Sequence, residues 1–157
     1  MPTLIHGSGG GGSSKFGIRI YGGTKLDSKG TTADSAAQYN TIALSTATAN
    51  ASGFSKVLTD LPKGKYSVMI RMKISANSSS GNIIKIQAGD TNSLSTFYVR
   101  PNMFNATNTY QTFGFTVEHT TTSFTAKLLI GTALSGVTVN IDYLSIAPTF
   151  TAISSVG

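Results

Sequence analysis

Leu61-Pro62-Lys63-Gly64-Lys65-Tyr66-Ser67-Val68-Met69-Ile70-Arg71-Met72-Lys73-Ile74 is the stretch whose pattern decides the fold. Pro62 and Gly64 signal a tight turn, because proline presets φ near the value a turn needs and glycine tolerates positive φ. After them Tyr66, Val68, Ile70, Met72 and Ile74 recur at every second position, the period of a strand with one buried face. Ser67, Met69, Arg71 and Lys73 take the other face, as in an antiparallel sheet whose second side meets solvent or a partner. One strand cannot hide its own apolar row, so the other segments must supply a second layer.

The same alternation recurs outward along the chain. Phe16, Ile18 and Ile20 mark a first strand that ends at Gly22-Gly23, and short strands are expected near Thr41 to Leu44 and over Phe54 to Leu58. Ile84, Ile86 and Ala88 alternate with Lys85 and Gln87, and across the polar turn Ala76 to Asn82 they are expected to form a hairpin with the strand after Pro62. Leu94 to Arg100 reads as extended until Pro101 stops it. Three further rows follow: Phe113, Phe115, Val117; Phe124, Ala126, Leu128, Ile130; and Val137, Val139, Ile141, Tyr143. Strands at this spacing predict an all-β chain, an antiparallel β-sandwich with almost no helix.

Composition agrees with one such domain. The chain has 157 residues, only 11% of them charged, no cysteine and no tryptophan. Without cysteine there is no disulfide, thiolate nucleophile or cysteine-held metal. The formal charge is +6, yet the basic residues are scattered from Lys15 to Lys127 without the stripe or motif of a nucleic-acid binder, so no nucleic-acid partner is expected. No apolar run approaches the roughly 20 residues of a membrane span, so no membrane insertion is expected either. The amino terminus lacks the cationic and apolar regions of a cleaved leader, which predicts synthesis in the cytoplasm and, for any external role, another route out.

Residues 1–14 read as a unit apart from the sandwich at 15–157. Leu4 and Ile5 form a short apolar patch, followed by the run Gly7-Ser8-Gly9-Gly10-Gly11-Gly12-Ser13-Ser14. Such a run behaves as a flexible tether, and Leu4 and Ile5 are the candidate anchor on a larger particle.

Three segments, in order, resemble a known family. Leu61 to Ile74 is similar to the "L-x-x-G-x-Y-x-hydrophobic-x-hydrophobic-R" strand of carbohydrate-binding-module-like jelly rolls, the galactose-binding-like sandwiches. Phe104-Asn105 followed by Tyr110-Gln111-Thr112-Phe113 resembles their "F-x-x-x-x-x-Y-x-x-F" segment, and Val137 to Ile146 resembles their closing strand around an Asp-Tyr pair. The resemblance spans roughly residues 54–148 and implies a jelly roll, a fold that serves many unrelated tasks. It also implies a structural calcium, of whose usual acidic ligands only Asp142 has a counterpart here, and sugar binding through exposed aromatics. The aromatic candidates are Tyr21, Tyr39, Tyr98 and Tyr110, of which Tyr98 and Tyr110, with Asn102 and Asn105 on the loop between them, form the expected carbohydrate site.

No catalytic motif unites the remaining groups. Asp60, Asp90, Glu118 and Asp142 fall in different turns or strands, His6 lies in the tether and His119 in a threonine-rich turn, and neither a nucleophile elbow nor a phosphate loop is present. The sequence therefore predicts a non-catalytic module displayed on a larger assembly: a virion-surface fibre or capsid decoration protein of a bacteriophage, trimeric by analogy, with other virion proteins and cell-surface glycans as partners. Two alternatives stay open, a purely structural cement protein and a carbohydrate-binding module of a secreted, extracellular enzyme.

Overall fold

The computed structural model describes residues 18–21, 34–38, 41–50 and 52–149. Among them nine strands build two antiparallel sheets. The first sheet contains β1 (Ile18–Tyr21), β2 (Ile42–Ser45), β4 (Gly64–Ile74), β7 (Gln111–His119) and β9 (Thr138–Pro148). Its centre is β4 beside β9, with β7 on the outer edge of β4 while β1 and β2 share the far edge of β9. The second sheet runs β3 (Ser52–Leu58), β8 (Phe124–Ile130), β5 (Ile84–Asp90), β6 (Ser93–Val99). Among the described residues the one helical turn is a 3-10 turn at Pro101–Met103, and no helix is long and apolar enough to cross a membrane.

The core lies between the sheets, where the sequence pattern put it. Tyr66, Val68, Ile70, Met72 and Ile74 are all buried and face Ile84, Ile86, Ala88, Phe124, Ala126, Leu128 and Ile130 from the other sheet. Each large side chain in such a row contributes about 1.5–3 kcal/mol by leaving water. Gly53 occurs where β3 bulges against β8, and a Cβ there would sit 2.7 Å from Leu44 Cδ1, so the sheets approach this closely only because the position has no side chain. At the start of β4 the Tyr66 hydroxyl donates to the Pro62 carbonyl at 2.5 Å, tying the turn to the strand it introduces. Burial raises the pKa of that phenol, which keeps it a donor. On the edge strand β3, Lys56 lies opposite core-facing Ala126, an inward-pointing charge of the kind that discourages edge-to-edge pairing.

Two expectations are corrected. Strands β4 and β5 do not form a hairpin: both edges of β4 are taken by β7 and β9, so the chain crosses over residues 75–83 into the other sheet, where β5 pairs with β6 and β8. Alternation shows which side of a strand is oily but not which strand lies beside it. The second correction is at β9, where Met72 faces Ile141 while Arg71 faces Tyr143, leaving Asp142 as the extra residue of a β-bulge. Beyond it the buried row shifts to Leu144 and Ile146, and Tyr143 turns to the outer side, half-buried. Phe16, Leu4 and Ile5 lie outside the described residues, as does the tether.

Candidate functional site

The outer face of the four-stranded sheet is assembled from residues that the core does not use. Because Ile84, Ile86 and Ala88 point inward on β5, Lys85 and Gln87 point outward; the same parity sends Lys127 and Leu129 outward from β8. On β6, Phe97 stacks on Phe115 between the sheets at 5.4 Å and Val99 is buried, so Thr96 and Tyr98 face out. Strand register then sets these side chains in two adjacent rows, Tyr98–Lys85–Leu129 and Thr96–Gln87–Lys127. Gln87 Nε2 donates to Thr96 Oγ1 at 3.1 Å along the second row, and Lys85 Nζ donates to Asn50 Oδ1 at 3.4 Å at the sheet's end. Tyr98 is 43% exposed, with its ring edge close to the bare Cα of Gly131. The result is a shallow platform with one aromatic ring, an amide, a hydroxyl and two ammonium groups.

The other expected sugar ligands are not gathered there. Asn102 and Asn105 are exposed on the loop after β6, which Gln111 staples from both ends: its Oε1 accepts from Asn105 N at 2.8 Å and its Nε2 donates to the Met103 carbonyl at 3.0 Å. Tyr110, at the far end of that loop, lies on the outer side of the five-stranded sheet, across the sandwich from Tyr98. Its ring is covered by cations, with Arg71 Cζ 4.5 Å and Lys73 Nζ 5.0 Å from the ring centre, and its hydroxyl donates to Asp34 Oδ2 at 2.7 Å. Burial, then the Asp34 hydrogen bond, pushes the phenol's pKa up. Tyr110 is thus a structural residue of this face. Tyr21 and Tyr39 are not described by side chain. Lys85, Gln87, Thr96 and Lys127 escaped the sequence reading because each looks like an ordinary solvent-side strand residue until register sets it beside Tyr98.

Asp142 belongs to the same polar cluster as Tyr110. Its carboxylate is fully buried, with Oδ2 against Arg71 Nη1 at 2.5 Å and Oδ1 accepting from the Gln38 amide at 3.0 Å. Alongside, Lys73 Nζ lies 2.5 Å from Asp34 Oδ2 and holds that carboxyl down at a pKa of about 2, helped by Tyr110 and the Ala36 amide. Calcium requires six to eight oxygens, several of them from carboxylates. This donor set does not fit it: a guanidinium already occupies the cation position on Asp142, and among the described residues no three or more Asp, Glu, His or Cys side chains converge.

His119 is equally committed. Nδ1 lies 2.7 Å from Asp90 Oδ1 and Nε2 lies 3.1 Å from the Leu61 carbonyl oxygen, while Tyr66 and Phe124 close over the ring edge-on. With both nitrogens on acceptors and 1% exposure, the ring holds the β4 turn to the end of β5 and has no access to a substrate.

No protein-family profile matches the sequence, and no curated protein does. Solved structures match over most of the chain. A family 36 carbohydrate-binding module of a multidomain xylanase from the hindgut metagenome of Trinervitermes trinervoides is similar with a TM-score of 0.60 at 16% identity, over 86% of this chain and 99% of that one. A family 36 module in complex with calcium and xylotriose is similar at 0.53 and 14% identity, over 82% and 98%. The insecticidal delta-endotoxin Cry8Ea1 of Bacillus thuringiensis matches at 0.56 and 16% identity, over 85% of this chain but only 24% of its own. The chain therefore has the jelly-roll sandwich found in carbohydrate-binding modules.

Proposed function

We propose that this protein is a non-catalytic glycan-binding module and that the outer face of its four-stranded sheet is the binding platform. The observation that carries the reading is Tyr98, a large ring 43% exposed on a regular strand and bordered in register by Lys85, with Gln87 and Thr96 one row away. A sugar ring laid on Tyr98 would place its hydroxyls over an amide and a hydroxyl already held by one another, so little side-chain ordering remains to oppose binding. Likeness to carbohydrate-binding modules supports the fold that presents this face. Tyr110 is excluded from the platform by its position on the other sheet.

On this reading the module serves a larger body. A virion surface reached through Leu4 and Ile5, and multivalent display as a trimer, extend the proposal from the sequence; a secreted enzyme carrying the module fits the same platform. The test is a glycan array probed with the full chain and its Tyr98→Ala variant. Loss of a central aromatic anchor typically costs about 2 kcal/mol or more, roughly thirtyfold in affinity. Retained binding in Tyr98→Ala would move the site elsewhere, and silence of the wild type across the array would leave the structural-cement reading.

A further inference from the structure

Resting on that reading, we infer that the glycan is anionic, a polysaccharide bearing carboxylate or sulfate groups, and that Lys85 and Lys127 supply its counter-charge. The two lysines project from adjacent strands on the same face. Lys85 is opposite Leu129 and Lys127 is opposite Gln87, which makes them diagonal neighbours about 7–8 Å apart at the backbone. Such a like-charged pair is usually relieved by an acid nearby. None is here. The described acids are Asp34, Asp60, Asp90, Glu118 and Asp142, and among the described residues none occupies an outward position of β3, β5, β6 or β8.

The contrast with the opposite face sharpens the assignment. There Arg71 and Lys73 are each matched by a carboxylate at 2.5 Å. On the platform Lys85 reaches only the neutral Asn50 amide, and Lys127 has the serine and glutamine neighbours Ser55 and Gln87 across the strands. Among the described residues, then, the cations around Tyr110 are paired with carboxylates, while Lys85 and Lys127 beside the exposed ring of Tyr98 are not. A polymer alternating sugar faces with carboxylates meets both requirements at once: C–H surface for Tyr98 and anions for the ammonium groups. Partial exposure of the lysines makes each contact modest and salt-sensitive.

The test compares polygalacturonate with its fully methyl-esterified form, which keeps the backbone and removes the charge. Retention in affinity gels is measured for the full chain, for Lys85→Gln/Lys127→Gln, for Tyr98→Ala and for the charge-matched control Lys63→Gln/Lys65→Gln, whose exposed lysines flank the first residue of β4 on the other sheet. The expected result is preference for the acid form, weakened about tenfold in the Lys85/Lys127 double variant but not in the control. The preference should fade between about 0.1 M and 1 M salt as the Debye length contracts from about 10 Å to about 3 Å. Equal retention by the acid and ester forms would overturn the inference and leave the glycan-binding proposal standing. Equal retention by a polyphosphate chain would reduce it to unspecific polyanion attraction and overturn it too. Failure to bind either galacturonan, or any charged or neutral glycan on the array, would remove both.

Discussion

Asp142 and Arg71 are paired at 2.5 Å across the β9 bulge, and the carboxylate has no exposure at all. Asp142 is the extra residue of the bulge between buried Ile141 and outward Tyr143, and its carboxylate meets the guanidinium on the neighbouring strand. The same pairing explains why the acid of the closing strand is not offered to a metal.

Replacing that carboxylate should be costly. Asp142→Ala strands Arg71 and the Gln38 amide, and is expected to lower unfolding free energy by about 2–4 kcal/mol, less than for a fully buried pair because Arg71 keeps 27% of its side-chain exposure. Asp142→Asn, which retains an acceptor, should lose less. Urea titration reads both. Chelator should leave the wild-type melting temperature unchanged, and a drop would show that a metal does stabilise the fold.

Acid stability follows from Asp34 and Asp90. Lys73 holds Asp34 at a pKa of about 2, against an ordinary value of 3.8. The Thr120 hydroxyl, with the Thr120 and Thr121 amides and His119, holds Asp90 well below that ordinary value. A carboxyl depressed in the folded state binds protons more readily once unfolded, so its contribution is complete above its unfolded pKa and disappears as pH falls through the folded one. Stability should therefore decline from about pH 4 toward pH 2. Asp34→Asn should be less stable at neutral pH with a flatter acid limb, measured by thermal melts across that range; an unchanged limb in both Asp34→Asn and Asp90→Asn would refute the assignment.

His119 joins the β4 turn to the end of β5 through Leu61 and Asp90. His119→Phe preserves the apolar packing against Tyr66 and Phe124 but leaves the Leu61 carbonyl without its donor. The expected loss is about 1–3 kcal/mol with no change in glycan retention, since the ring sits against Asp90 at the last residue of β5 whereas Tyr98 pairs with Lys85 near its start. Lost retention in a folded His119→Phe protein would contradict the structural role.

Gly131 is a close-approach position. Its amide donates to the Ile83 carbonyl at 2.7 Å, and a Cβ added to it would lie 2.3 Å from the Asn82 carbonyl oxygen, a backbone atom that cannot swing aside. Gly131→Ala is expected to cost about 1–3 kcal/mol, and the displaced segment borders Tyr98, so weaker glycan retention should accompany the lower stability. Chemical denaturation and affinity gels report the two effects separately.

The alternating row from Tyr66 to Ile74, repeated along the later strands, was enough by itself to establish an antiparallel sandwich, its core residues and nearly all of its strands, because burial on one face of a pleated strand is written in every second residue. Strand partnership was not written there. Lys85 beside Tyr98, Asp142 turned toward Arg71, and β5 carried away from β4 all depend on which edges are already filled and where a bulge shifts the register. Those are properties of hydrogen-bonded neighbours distant in the chain, so the tertiary structure alone decided that Tyr98 and Tyr110 lie on opposite faces, one exposed among unmatched lysines and the other locked beneath cations.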